Sequence, residues 1–86
     1  MSAMTPTIAD RLVLRALAGA DGGLTLAGIH SAVARDPESE SLHAFGAEIS
    51  GALARLLMSG EVTVAQAGDV VGYLLTGSGF GRAAVA

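Results

Sequence analysis

The sequence predicts one mainly α-helical domain with a small antiparallel β-hairpin near its carboxyl terminus. Up to Gly60, apolar residues recur three and four positions apart, as they do on one face of a helix. After Gly60 the period shortens to two, which is typical of a half-buried strand. Eighty-six residues suffice for one domain. We therefore treat residues 1–86 as a single domain, with a flexible amino terminus over 1–6 and a tail over 76–86.

The first helix is expected over about residues 7–18. Thr5 or Thr7 serves as its N-cap, and the glycine at position 19 ends it. Its polar side carries Asp10, Arg11 and Arg15. Leu14 lies at the edge of this polar arc, so we expect its side chain to be exposed.

The second and third helices are separated by an acidic connection over 38–41. The second covers about 26–35, with Thr25 as N-cap, and ends before Pro37 because proline disfavours a helical residue in front of it. The third covers about 41–59, with a break at Gly46 and the main helix from Ala47 onward. Its buried stripe consists of Leu42, Phe45, Ile49, Leu53 and Leu56.

The hairpin is predicted from two alternating segments around a short turn. Strands are expected over 61–66 and 70–75, with Val62 or Val64 and Tyr73 or Leu75 facing the helices. The glycine-rich stretch 77–81 that follows reads as a loop.

The charge balance disfavours nucleic acid as a partner. The five basic residues are all arginine, and eight acidic residues bring the net charge to −3. Because phosphate contacts supply much of the affinity of DNA-binding proteins, such proteins usually carry a basic patch. The sequence has no apolar run of membrane-spanning length and no recognisable secretory signal, so we expect a cytoplasmic protein.

The order of elements resembles the winged helix-turn-helix, and specifically the PadR-like group of bacterial regulators. Residues 13–17 resemble the core pattern of that group's first helix, and 47–56 with Gly60-Glu61-Val62 resemble the recognition helix and its passage into the wing. Residues 73–76 resemble the last wing strand. The resemblance covers about residues 8–80 and implies three helices followed by a wing, with DNA binding as the expected activity.

The residues that would contact DNA depart from this pattern. With Ile49, Leu53 and Leu56 facing inward, the outward face of the third helix consists of Ala47, Glu48, Ser50, Gly51, Ala54, Arg55 and Met58. Reading base edges needs Arg, Lys, Asn or Gln at several positions, and Arg55 alone meets that need. Small residues and methionine instead favour close approach by a protein partner, so we take these seven residues as the predicted partner-binding face.

Three leucines are candidates for a homodimer interface. Leu57 and Leu74 occupy positions where the PadR-like group commonly has polar or charged residues, and Leu14 lies beside the polar arc. A short, alanine-rich chain without cysteine buries little apolar surface on its own, and dimerisation would bury more. Leu57 and Leu74 are equally consistent with ordinary packing within one chain.

The sequence offers no constellation for catalysis, metal binding or a cofactor. His30 and His43 lack a third ligand at metal-site spacing. The glycine-rich stretch after the second strand has no lysine and no long helix after it, as a phosphate-binding loop would. We therefore expect a protein that is not an enzyme and has no cofactor.

Three functions remain open. The first is a winged-helix module that acts by protein–protein contact, such as an inhibitor or modulator of nucleic-acid-handling machinery, with a viral inhibitor as a special case. The second is a PadR-like DNA-binding repressor. The third is a purely structural subunit of a larger assembly.

Overall fold

A computed structural model describes residues 7–20 and 22–84 of the chain. Four α-helices, one 3₁₀ helix and a two-stranded sheet follow one another within this part. In chain order they are α1 (Ile8–Ala18), α2 (Leu26–Ala34), the 3₁₀ helix (Pro37–Ser41), α3 (Phe45–Ser59), β1 (Val62–Ala67), β2 (Val70–Leu75) and α4 (Gly77–Ala84). The predicted flexible segment 1–6 lies outside the described residues.

Local capping explains where the helices begin and end. Thr7 and Asp10 form a reciprocal capping box at the start of α1, since each side chain accepts a hydrogen bond from the other's backbone N–H. Thr25 caps α2 through the N–H of Gly28. Gly60 ends α3 in the left-handed conformation, at φ 83°, which glycine adopts without steric cost. These three caps agree with the sequence prediction.

The core lies between α1, α2, α3 and the start of β1. Its largest fully buried side chains are Leu12, Leu14, Leu17, Ile29, Ile49, Val13 and Val33. The expectation that Leu14 is exposed is therefore wrong, because its side chain is only 1% exposed. α1 packs against α2, α3, β2, α4 and the 3₁₀ helix, so even the edge of its apolar face is covered.

The hairpin is attached to the helices through its inner face and through the loop before α2. β1 and β2 pair in antiparallel register, with Val62 opposite Leu75 and Val64 opposite Tyr73. Val62 is buried, and Tyr73 and Leu75 pack against the core, as predicted. Leu24 forms an isolated bridge with Tyr73, which holds the base of the wing against the start of α2.

Two boundaries differ from the prediction. The third helix begins at Phe45 rather than near residue 41, since residues 37–41 form a separate 3₁₀ helix capped by the side chain of Asp36. The predicted break at Gly46 is wrong, because α3 runs through this residue without interruption. The predicted loop after the hairpin is a helix, α4. The hydroxyl of Thr76 accepts the N–H of Gly79, and its carbonyl accepts the N–H of Phe80, so the helix is nucleated despite its glycines.

Gly79 allows α4 to lie close to the hairpin. A Cβ atom built at this position would overlap the Glu61 carbonyl oxygen and would stand 2.9 Å from a methyl carbon of Leu75. Gly81, on the same helix, has open space around it. Gly79 is therefore required for packing, whereas Gly81 only lowers the helix propensity of α4.

No helix in the described ranges 7–20 and 22–84 is both long enough and apolar enough to cross a membrane.

Gly79→Ala and Gly81→Ala should have opposite effects on stability. We expect Gly79→Ala to lower the free energy of unfolding by about 1–3 kcal/mol through overpacking. Gly81→Ala should raise it by about 0.5–1 kcal/mol, because alanine is the better helix former. Urea denaturation of both variants measures the difference, and equal effects of the two substitutions would contradict the close packing of α4.

Candidate interaction face on the third helix

The outward face of α3 has the composition that its sequence predicts. Ile49, Leu53 and Leu56 are buried in the core. Of the seven residues predicted for partner binding, the exposed ones are Ala47, Ser50, Ala54, Arg55 and Met58. Glu48 and Gly51 are half-buried. Met58 is 90% exposed, so a large apolar side chain stands in solvent at the end of this face.

Arg55 is held by an acidic residue of α1. Its Nη2 atom donates a hydrogen bond to Oδ1 of Asp10 over 2.8 Å, and it lies 3.4 Å from the hydroxyl of Thr7. The Asp10 side chain is only 8% exposed, and its other oxygen accepts the backbone N–H of Thr7. A carboxylate buried to this extent is stabilised by a paired cation, so Asp10 holds the guanidinium of Arg55, whose side chain is otherwise 44% exposed.

This burial corrects the expected position of Asp10, which the helical pattern places on the solvent side of α1. The carboxylate turns toward α3 because Thr7 and Arg55 satisfy both of its oxygens there. The sequence signal for this contact is limited to a capping-box pattern at the start of α1, and nothing in the spacing of Arg55 indicates its partner.

Two further arginines, both on α1, are neutralised as well. Arg15 pairs with Asp36 and Glu38 at 3.4 and 2.8 Å, and Arg11 pairs with Glu38 at 3.4 Å. Of the four arginine side chains that the structure describes, Arg35 alone is outside an ion pair. The face of α3 therefore carries no unneutralised cation.

Two acidic side chains, one on α3 and one at the tip of the wing, are not in ion pairs within the described ranges. Glu48 accepts the backbone N–H of Ala44 over 2.8 Å, which caps the start of α3 without neutralising the carboxylate. Asp69 is exposed at the tip of the wing, next to Gly68, the turn glycine with φ 61°. Because Arg55 is paired with Asp10, Glu48 leaves the α3 face with a net negative charge.

Two hollows flank the outward face of α3. One, of about 330 Å³, lies toward α1 and is lined by Thr7, Ala9, Ala47, Glu48, Gly51 and Arg55. We call it the acidic hollow, because Glu48 carries its unneutralised charge. The other, of about 240 Å³, lies toward α2 and the wing and is lined by Leu26, Ser50, Leu53, Ala54, Leu57 and Tyr73. We call it the apolar hollow.

The apolar surface continues from this second hollow onto the wing. Val64 is paired with Tyr73, and Val71 lies two residues before Tyr73 on the same strand, so all three share one face of the hairpin. Val64 is 51% exposed and Val71 is exposed as well. The period of two in the sequence predicts this shared face, but it does not predict that the wing extends beyond the helices that could cover it.

The proposed dimer residues occupy three different environments. Leu14 is buried in the core and so is not available at a surface. Leu57 packs partly against the core and lines the apolar hollow. Leu74 is half-buried and lies against the loop at Gly23. Exposed apolar side chains that the sequence interpretation did not single out include Leu26, Val70 and Phe80.

The histidines lie apart from this face. The ring of His30 packs edge-on against Phe45 at a centroid distance of 5.8 Å, and His43 is exposed. Among the described residues, no group of three His, Cys, Asp or Glu side chains is placed to hold a metal ion.

Comparison with known proteins supports the fold and no closer relationship. No protein-family model matches the chain, and no curated protein matches it significantly. The crystal structure of SSV1 F-93 superposes with a TM-score of 0.67 at 18% sequence identity, covering 96% of this chain and 87% of that one. The chain therefore has a winged helix-turn-helix fold, as its element order predicts. At this identity the likeness concerns the fold alone.

Proposed function

We propose that this chain is a non-enzymatic winged-helix module that acts by protein–protein contact through the outward face of α3. The observation that carries the proposal is the pairing of Arg55 with the buried carboxylate of Asp10. It offsets the charge of the one basic side chain on the helix that would enter a major groove, so this helix presents no uncompensated cation to bases or phosphates.

The electrostatics around the face support the same conclusion. Glu48 and Asp69 are acidic and lie outside ion pairs, whereas the nearby arginine is neutralised. A duplex carries one negative charge for about every 1.7 Å of its axis, so it would be repelled by this surface. A protein surface with basic groups would be attracted to it.

The negative charge of this surface favours partners that bind nucleic acids through basic surfaces of their own. An acidic module can cover the basic surface with which another protein holds DNA or RNA, and in that way it would inhibit or modulate that protein. A viral inhibitor of host machinery is a special case of this proposal. We place the activity in the cytoplasm, together with that machinery.

The alternative is a PadR-like DNA-binding repressor, which the winged-helix fold itself favours. In that case Arg55, whose side chain is 44% exposed, would contact a phosphate or a base through guanidinium N–H groups that do not bond Asp10, and Arg35, exposed at the end of α2, would supply a further contact. The charge of Arg55 would then be shared with the carboxylate of Asp10, which weakens its attraction for a phosphate.

Gly51→Arg separates the two functions. The substitution places a long cationic side chain at the centre of the face, where a Cβ atom meets only the Arg55 guanidinium, at 3.4 Å. We expect it to abolish capture of the native partner, as identified by affinity purification and mass spectrometry, while circular dichroism shows an intact fold. Gly81→Arg adds the same charge on α4 and should leave capture unchanged.

A DNA-binding assay tests the repressor alternative. The unmodified chain should bind DNA weakly and without sequence preference in fluorescence anisotropy at several salt concentrations. Nanomolar, steeply salt-dependent binding to an operator, lost in Arg55→Ala and weakened in Arg35→Ala, would overturn the protein-binding proposal in favour of the repressor.

We further propose that the chain forms a homodimer through the outer face of the hairpin, which carries Leu74; Leu57 lines the apolar hollow beside Tyr73, on the other face, and is left out of this contact. Val70 alternates onto the same side of β2 as Leu74 and is exposed, so it extends this apolar face. Burying Leu74 and Val70 in a dimer contact would remove from water apolar surface that one small domain leaves exposed.

Light scattering at micromolar concentration should give about twice the chain mass for the unmodified protein. Val70→Asp should shift the mass to that of a monomer, because it places a charge in the proposed contact. Val64→Asp, on the opposite face of the hairpin, should leave the dimer intact. A monomeric mass for the unmodified chain would refute this assembly.

A further inference from the structure

The apolar hollow is shaped for a side chain of a partner. Its volume of about 240 Å³ lies below the roughly 300–1,000 Å³ typical of pockets that enclose small molecules. Its walls are mainly aliphatic and small, with Leu26, 41% exposed, at one edge. A single large apolar residue inserted from another chain would cover this surface.

The acidic hollow, on the other side of α3, suits a different kind of side chain, a cationic one. Glu48 keeps a negative charge there, because its hydrogen bond is to the neutral N–H of Ala44. The nearby Arg55 does not compensate it, since that guanidinium is paired with Asp10. A cationic side chain of a partner would therefore be stabilised in this hollow.

Where α3 lines the two hollows, several of its side chains are small. Ala47, Gly51 and Ala54 lie on its outward face, so a partner backbone can cross the helix without a steric barrier. At the far side of the apolar hollow, the exposed valines Val64 and Val71 lead along the wing to the acidic Asp69 at its tip. The apolar surface is thus bordered by negative charge at both ends.

From this arrangement we propose that the occupant is a basic amphipathic helix of a protein partner. Its apolar stripe covers the apolar hollow and the adjoining valines, and its lysines or arginines reach Glu48 on one side and Asp69 on the other. This inference rests on the proposed protein-binding function and adds the chemical class of the partner segment.

Synthetic peptides test directly whether the partner segment is a basic amphipathic helix. The probe is a fluorescein-labelled peptide of about 18 residues that places leucines on one face of a helix, at i, i+3, i+4 and i+7 spacing, and alternates lysine with alanine elsewhere. One control peptide keeps the leucine stripe and replaces lysine by glutamate. A second has the composition of the probe with the leucines dispersed around the helix. Fluorescence anisotropy should show saturable binding of the probe and none of either control.

Variants of the chain locate the binding. Ala54→Arg fills the apolar hollow with a cation and should weaken binding of the probe at least about tenfold, a loss of about 1.4 kcal/mol. Ala34→Arg adds the same charge at an exposed position on α2 outside the hollows and should have little effect. Circular dichroism of both variants should match that of the unmodified chain.

Glu48→Gln measures how much the negative charge of Glu48 contributes to binding of the peptide probe. Glutamine retains an acceptor for the Ala44 N–H, so α3 stays capped, and we expect a two- to fivefold loss of affinity at low salt, of the order seen for exposed ion pairs. Glu40→Gln, on the 3₁₀ helix, removes an exposed acid elsewhere and is the matched control.

The outcomes separate this inference from the function on which it rests. Equal binding of the acidic peptide, or binding unaffected by Ala54→Arg, overturns the basic-helix partner. If no peptide binds while a native protein is captured in a manner sensitive to Gly51→Arg, the partner class is wrong and the protein-binding function stands. Operator binding through Arg55 would overturn both.

Discussion

The carboxylate of Asp10 lies at the junction of α1 and α3, where little solvent reaches it, and it must be satisfied by the chain itself. Its partners are the backbone of Thr7 and the guanidinium of Arg55, at 2.8 Å. The pair fixes the start of α1 against the middle of α3, because a carboxylate buried there without its cation would be costly. The same contact neutralises the single basic side chain on the outward face of α3.

A winged-helix scaffold is therefore present without the charge that groove binding requires. The face of α3 is left with small side chains, one exposed methionine and two hollows of different character. Since a fold does not determine a function, the local chemistry carries the interpretation. That chemistry combines apolar surface with uncompensated acids at Glu48 and Asp69, which favours a basic protein surface over a nucleic acid.

Sequence reasoning succeeded where a local rule decides the structure. Helical and strand periods gave the elements, and Thr7, Thr25 and Gly60 act as the predicted caps. It failed where packing between distant elements decides. Leu14 is buried because five other elements surround α1, and Asp10 turns inward because Arg55, forty-five residues later, meets it. The glycine-rich stretch after the hairpin is helical because Thr76 caps it, and its glycine at position 79 is there because α4 lies too close to Glu61 for a side chain.

A double-mutant cycle on Asp10 and Arg55 tests the central claim most directly. The free energies of unfolding of Asp10→Asn, Arg55→Gln and the double variant are measured by urea denaturation, with Arg35→Ala as a control for loss of a cation. A coupling energy of about 1–3 kcal/mol is expected for a hydrogen-bonded ion pair with one buried partner, and the control should stay within about 0.5 kcal/mol of the unmodified chain. Single effects that add to within about 0.5 kcal/mol would show that Arg55 is not committed to Asp10, and would contradict the account.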